Sequence, residues 1–200
     1  MGLSYSPSDL NSPCKVVGVL DKNLLDHYIN ALLAYAKDRS GLFKFGNFES
    51  YFLIPQGALS STHALTFTEK KMFCLFGVYY SVALLHTEKR HAFDPASPHD
   101  MNLIKITPKP LIYSSRFYQH LERVAESVFK RYQLPVAESL RREKFINVKE
   151  KNLVFKNLKN LKATDVNSCV LVDITRIVTG CGTLWSGSCR TNTDERNKLL

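Results

Sequence analysis

The sequence predicts an all-α fold, a multi-helix bundle spanning residues about 21 to 163 around one central apolar helix, followed by a weakly ordered C-terminal tail. Three observations predict it. Leu24, Leu25, Tyr28, Ile29, Leu32, Leu33 and Ala36 recur at helical steps, Phe67 to His86 is apolar nearly all round, and Ile112 to Tyr132 repeats the amphipathic pattern. With 200 residues, 44% hydrophobic and 22% charged, the chain is large enough for a real core and too apolar to be disordered.

The elements follow in order. Residues 1 to 20 read as a flexible lead-in rich in Ser and Pro, with Cys14 to Leu20 as a short extended piece. Asp21 is placed to cap the first helix and Gly41 to stop it. Phe43, Phe45, Phe48, Tyr51 and Phe52 form an aromatic cluster, read as core packing around a short helix capped by Asn47. Thr66 and Glu69 have capping-box spacing, so the central helix starts at Phe67 and is expected to run to about His86.

Glu88 to Asn102 reads as a surface loop, and Leu103 to Ile106 as extended. Phe117, Leu121, Val124, Ala125, Val128 and Phe129 then mark an amphipathic helix closed by Pro135, which itself suits the first turn of another helix through Leu140. Lys149 to Lys162 sets lysines around Leu153, Val154, Phe155, Leu158 and Leu161, the pattern of a basic amphipathic helix. Residues 164 to 200 read as a poorly ordered tail, with a β-branched run at 170 to 178 expected as a short strand.

Charge is uneven. The formal net charge is +9, and between Met101 and Lys162 stand 14 Lys or Arg against 5 Asp or Glu, which places the whole surplus in one block. Arg141, Arg142 and Lys144 are its densest positions and the candidate phosphate contacts. Val154, Phe155, Leu158 and Leu161 are candidate anchors in a partner's groove. The bland alternative for both is a solvated face that keeps the domain soluble.

Chemistry is harder to find. His86, His91 and His99 lie near Asp94 and Asp100, but their spacing fits solvated loop histidines better than a metal site, so no metal is expected. The five cysteines are scattered without a C-x-x-C pair, and no nucleophile elbow, P-loop or dinucleotide fingerprint occurs, so no cofactor and no enzymatic activity are expected. The opening Met1-Gly2-Leu3-Ser4-Tyr5-Ser6 matches an acylation pattern without the polybasic second signal that stable anchoring needs. No apolar run is long enough to span a membrane, which makes an intracellular protein the expectation.

Several patterns together resemble the N-terminal region of subunit 1 of the snRNA-activating protein complex. They are Phe43-Lys44-Phe45-Gly46-Asn47-Phe48 with Tyr51 and Phe52, Phe73-Cys74-Leu75-Phe76-Gly77-Val78-Tyr79-Tyr80, Ile104-Lys105-Ile106-Thr107, and Phe117-Tyr118-Gln119-His120-Leu121. The resemblance covers residues about 21 to 150 and departs from the family at Lys71 and in a short connection from Phe52 to Thr66. It implies a nuclear, non-enzymatic scaffold that joins a Myb-repeat subunit and a zinc-containing subunit. Together they would bind promoter DNA at the proximal element of small nuclear RNA genes, for RNA polymerases II and III. The alternative from the residues alone is an autonomous basic module that binds nucleic acid or a membrane surface.

Overall fold

The computed structural model describes residues 14–38, 41, 48–59, 66–143, 145 and 158–179. It is mixed α/β, which corrects the all-α expectation. The order is β1 (Cys14–Val19), α1 (Lys22–Asp38), β2 (Phe48–Pro55), α2 (Phe67–Tyr79), β3 (Tyr80–Glu88), β4 (Met101–Pro108), α3 (Ser115–Lys130), α4 (Val136–Arg142) and α5 (Ser168–Thr179). They fall into a sheet unit, residues 1–60 and 79–110, and a helical unit, residues 61–78 and 111–198.

The sheet unit holds four strands in the order β1-β2-β4-β3. β1 and β2 are parallel, joined by α1 as the crossover that parallel pairing demands, and β4 runs antiparallel to both β2 and β3. Two extended pieces, Cys14 to Leu20 and Leu103 to Ile106, are legible in the sequence, but an isolated strand is unstable without partners. The partners come from segments with a helical look. β2 alternates strictly, with Phe48, Ser50, Phe52 and Ile54 buried on the face that α1 covers. α1 answers with Leu25, Ile29 and Leu32, each at most 1% exposed and contributing about 1.5–3 kcal/mol by burial. Tyr28 meets Phe52 edge to face at 4.8 Å, and its hydroxyl lies 2.6 Å from Ser50 Oγ, which satisfies the one polar side chain buried in that strand.

The expected central helix is shorter than its apolar run. α2 starts at Phe67 but stops at Tyr79, and the chain passes directly into β3. From Tyr80 the side chains alternate, Tyr80, Val82 and Leu84 toward the core and Ser81, Ala83 and Leu85 outward. That period of two is a strand's. A register shift between Leu84 and His86 leaves Leu85 as the extra residue of a bulge, 48% exposed.

The helical unit packs α3, α4 and α5. α3 buries Phe117, Leu121, Val124 and Val128, α4 adds Val136 and Leu140, and α5 adds Leu171 and Ile174. Ser114 caps α3 by accepting the Phe117 N–H at 3.3 Å. The expected strand at 170 to 178 is instead helix α5. Its β-branched run buries Leu171, Ile174 and Thr175 at helical spacing, and packing overrides strand propensity. Gly77 is required where α2 meets α5, because a Cβ there would stand 2.9 Å from Ser168 Oγ.

The lead-in before Cys14, the Phe43–Asn47 cluster, the first part of the Lys149–Lys162 segment and the tail beyond Thr179 lie outside the described residues.

Candidate functional site

Open sheets with parallel strands bind ligands outside the carboxyl ends of those strands. Here those ends are Val19-Leu20-Asp21 after β1 and Pro55-Gln56-Gly57 after β2. The Leu20 N–H donates to the Leu53 carbonyl at 3.0 Å, holding the first turn against β2. Asp21 Oδ1 accepts the Leu24 N–H at 2.8 Å, so this carboxylate is committed to starting α1. After β2 the chain turns through Gly57 at φ +82, closed by the Ala58 N–H on the Pro55 carbonyl at 3.0 Å. A type II turn wants glycine there.

The loop between β3 and β4 reaches the same edge. The Gln56 N–H donates to the Asp100 carbonyl at 2.8 Å, while the Asp100 carboxylate accepts Lys89 Nζ at 2.9 Å and the Arg90 N–H at 3.0 Å. Lys89 foremost, with the Arg90 N–H, holds the Asp100 carboxyl below its ordinary range. His86 Nε2 lies 3.1 Å from Glu88 and holds that carboxyl down likewise. His91 and His99 are exposed, and among the described residues no three His, Cys, Asp or Glu side chains are grouped to hold a metal.

The Cys74 thiol is not poised as a nucleophile. The Cys74 Sγ donates to the Val166 carbonyl at 3.2 Å, and burial pushes its thiol up to about 12.

The expected phosphate contacts are engaged by a shared counterion. Arg141 Nη2 lies 2.7 Å and Arg142 Nε 3.0 Å from the one Glu138 carboxylate, and Lys144 lies outside the described residues. Leu158 is fully buried in the helical unit's own core and Leu161 packs against that core, while Val154 and Phe155 lie outside the described residues. Sequence reasoning passed over three cations on the outer side of α3, Arg116, Arg123 and Lys130, all exposed. Their signal was their spacing, each seven residues after the last, on the face opposite the apolar stripe.

No protein-family model matches the chain, and no curated protein sequence matches it. Among solved structures, the chain is similar to a dimethyladenosine transferase from Plasmodium falciparum, with a TM-score of 0.52 at 10% identity over 89% of this chain and 71% of that one. A 23S rRNA methyltransferase, ErmE, compares at a TM-score of 0.48 and 11% identity over 86% of this chain and 67% of that one. The first likeness corrects the resemblance to subunit 1 of the snRNA-activating protein complex, and with it the transcription scaffold, the stand-alone basic module and the non-enzymatic reading. The resemblance rested on the order of apolar segments, and apolar order alone does not distinguish a helix from a buried strand. What the chain shares with known proteins is a fold, the mixed α/β architecture of a dimethyladenosine transferase.

Proposed function

We propose that this chain acts on RNA as an RNA-modifying protein of the methyltransferase kind, with adenine as the base concerned. One observation carries the reading: over 89% of its length this chain is similar in fold to a protein named for dimethyladenosine transfer. The distribution of charge supports it. The described residues of the sheet unit hold as many Lys and Arg as Asp and Glu, whereas those of the helical unit hold eleven against seven. A cationic helical unit in a chain that also carries a ligand-binding type of sheet suits a polyanionic substrate.

A nucleoside methyl donor calls for a glycine-rich first turn and a free carboxylate at the carboxyl end of the parallel strands. The described residues do not fit it. The turn Leu20-Asp21-Lys22 contains no glycine, and the Asp21 carboxylate accepts the Leu24 N–H that starts α1.

Enzymes that act on a base take it out of the stack, which costs least where the base is already unpaired. The test is direct binding of the full chain to an RNA stem-loop with unpaired adenines, beside the same RNA fully paired and the same sequence as DNA. Tighter binding to the looped RNA than to either competitor is expected. Equal binding to all three, or none, overturns the reading.

A further inference from the structure

We propose that the outer ridge of α3, formed by Arg116, Arg123 and Lys130, binds the phosphate backbone of that RNA. The inference rests on the reading above and adds the surface. At a rise of about 1.5 Å per residue, seven-residue steps set these cations about 10.5 Å apart along one side of the helix. All three are exposed, and none has a carboxylate partner among the described residues. The other arginines described in the helical unit differ. Arg131 meets Glu143 at 2.9 Å, Arg141 and Arg142 share Glu138, and Arg176 lies 3.8 Å from Asp173.

The ridge is also arranged to favour an anion. Its one exposed acid, Glu126, is bound by Lys71, so its charge is cancelled where it would repel a phosphate. The Arg123 guanidinium lies 5.3 Å from the centre of the Phe145 ring, which limits the orientations its donor fork must give up on binding. Gln119, exposed on the same side, adds neutral hydrogen-bonding capacity to sugar or phosphate oxygens.

The experiment measures binding of the full chain to the looped RNA between about 50 and 200 mM salt. The slope of log affinity against log salt is compared for the wild type, for Arg116→Gln/Arg123→Gln/Lys130→Gln, and for the control Arg141→Gln/Arg142→Gln. Removing one cation that neutralises a phosphate should flatten the slope by about 0.7–0.9. The triple variant is expected to flatten it by about 2 or more and to weaken binding at least about 10-fold at low salt, with an unchanged unfolding midpoint and little change in the control. An unchanged slope in the triple variant, while the wild type still prefers the looped RNA, overturns the ridge and leaves the RNA reading standing. Polyglutamate binding the wild type as tightly as RNA, with the same loss in the triple variant, overturns it in favour of an acidic protein partner. A wild type that binds no RNA removes both.

Discussion

The Tyr80 hydroxyl donates a 2.7 Å hydrogen bond to the Leu32 carbonyl, joining the first residue of β3 to the middle of α1. Tyr80 is 1% exposed, and its ring lies 6.4 Å from that of Phe48. The bond therefore forms in a dry setting, at the residue where the chain leaves α2 and enters the sheet. Tyr80→Phe keeps the ring and is expected to cost about 1 kcal/mol, whereas Tyr80→Ala also opens a cavity and is expected to cost about 3–5 kcal/mol. Urea unfolding of the two variants checks both values. Equal losses would mean that the hydroxyl contributes nothing.

The Cys74 thiol makes stability depend on pH at the alkaline end. In the folded chain it keeps its proton up to about 12, whereas an ordinary thiol loses it near 9.0. Between those values the folded state binds more protons than the unfolded one, so its stability is full below 9.0 and falls as pH rises through the window. The loss is at most about 1.4 kcal/mol per pH unit. Cys74→Ala is expected to remove this component of the slope. At pH 8 Cys74 should also resist a thiol reagent that modifies the exposed Cys169.

Helix starts were more legible in the sequence than sheet membership, for a physical reason. A cap is local. Asp21, Thr66 and Pro135 all stand at helix starts, and the first two act through side-chain bonds spanning three residues, whereas the Ser114 cap of α3, a bond of the same span, was not read and that helix was expected to begin near Ile112. Sheet membership is not local. Ser50 faces Ile106, and Val82 faces the same Ile106 from the other side, pairings that nothing within either segment specifies. The run from Met72 to Leu85 contains two structures because its apolar content is nearly continuous, and only the small residues Ser81 and Ala83 betray the change of period. The ridge on α3 was missed because basic density was weighed along the sequence. Density favoured Arg141 and Arg142, where one carboxylate cancels much of it, over three spaced cations that share a helix face.

At the start of α2, Thr66 and Glu69 form the reciprocal pair their spacing predicts. The Glu69 N–H donates to Thr66 Oγ1 at 3.2 Å, and the Thr66 N–H donates to Glu69 Oε2 at 3.0 Å. Thr66→Ala removes the hydroxyl's bonds to the Glu69 N–H and carboxylate, leaving only the backbone one, and is expected to cost about 1 kcal/mol, while Thr66→Ser, which keeps the hydroxyl, is expected to cost little. Thermal unfolding distinguishes them. Equal destabilisation by both would assign the effect to the threonine methyl and not to the cap.

Glu138 controls how much positive charge α4 presents. Its carboxyl is held below the ordinary 4.5, first by its bond to Arg141 and then by its bond to Arg142, so at neutral pH it is ionised and both guanidiniums are turned toward it. This contribution to stability is present above 4.5 and is lost as pH falls through the lowered folded value. Glu138→Gln reproduces the uncharged state at neutral pH and releases both arginines. With the α3 ridge as the RNA surface and Arg141 and Arg142 outside it, the variant is expected to leave the salt slope of looped-RNA binding unchanged. Unfolding measured across the acid range should meanwhile show a smaller loss below pH 4.5 in the variant than in the wild type. An unchanged salt slope with that altered acid profile would place Arg141 and Arg142 away from the RNA and confine their role to closing α4.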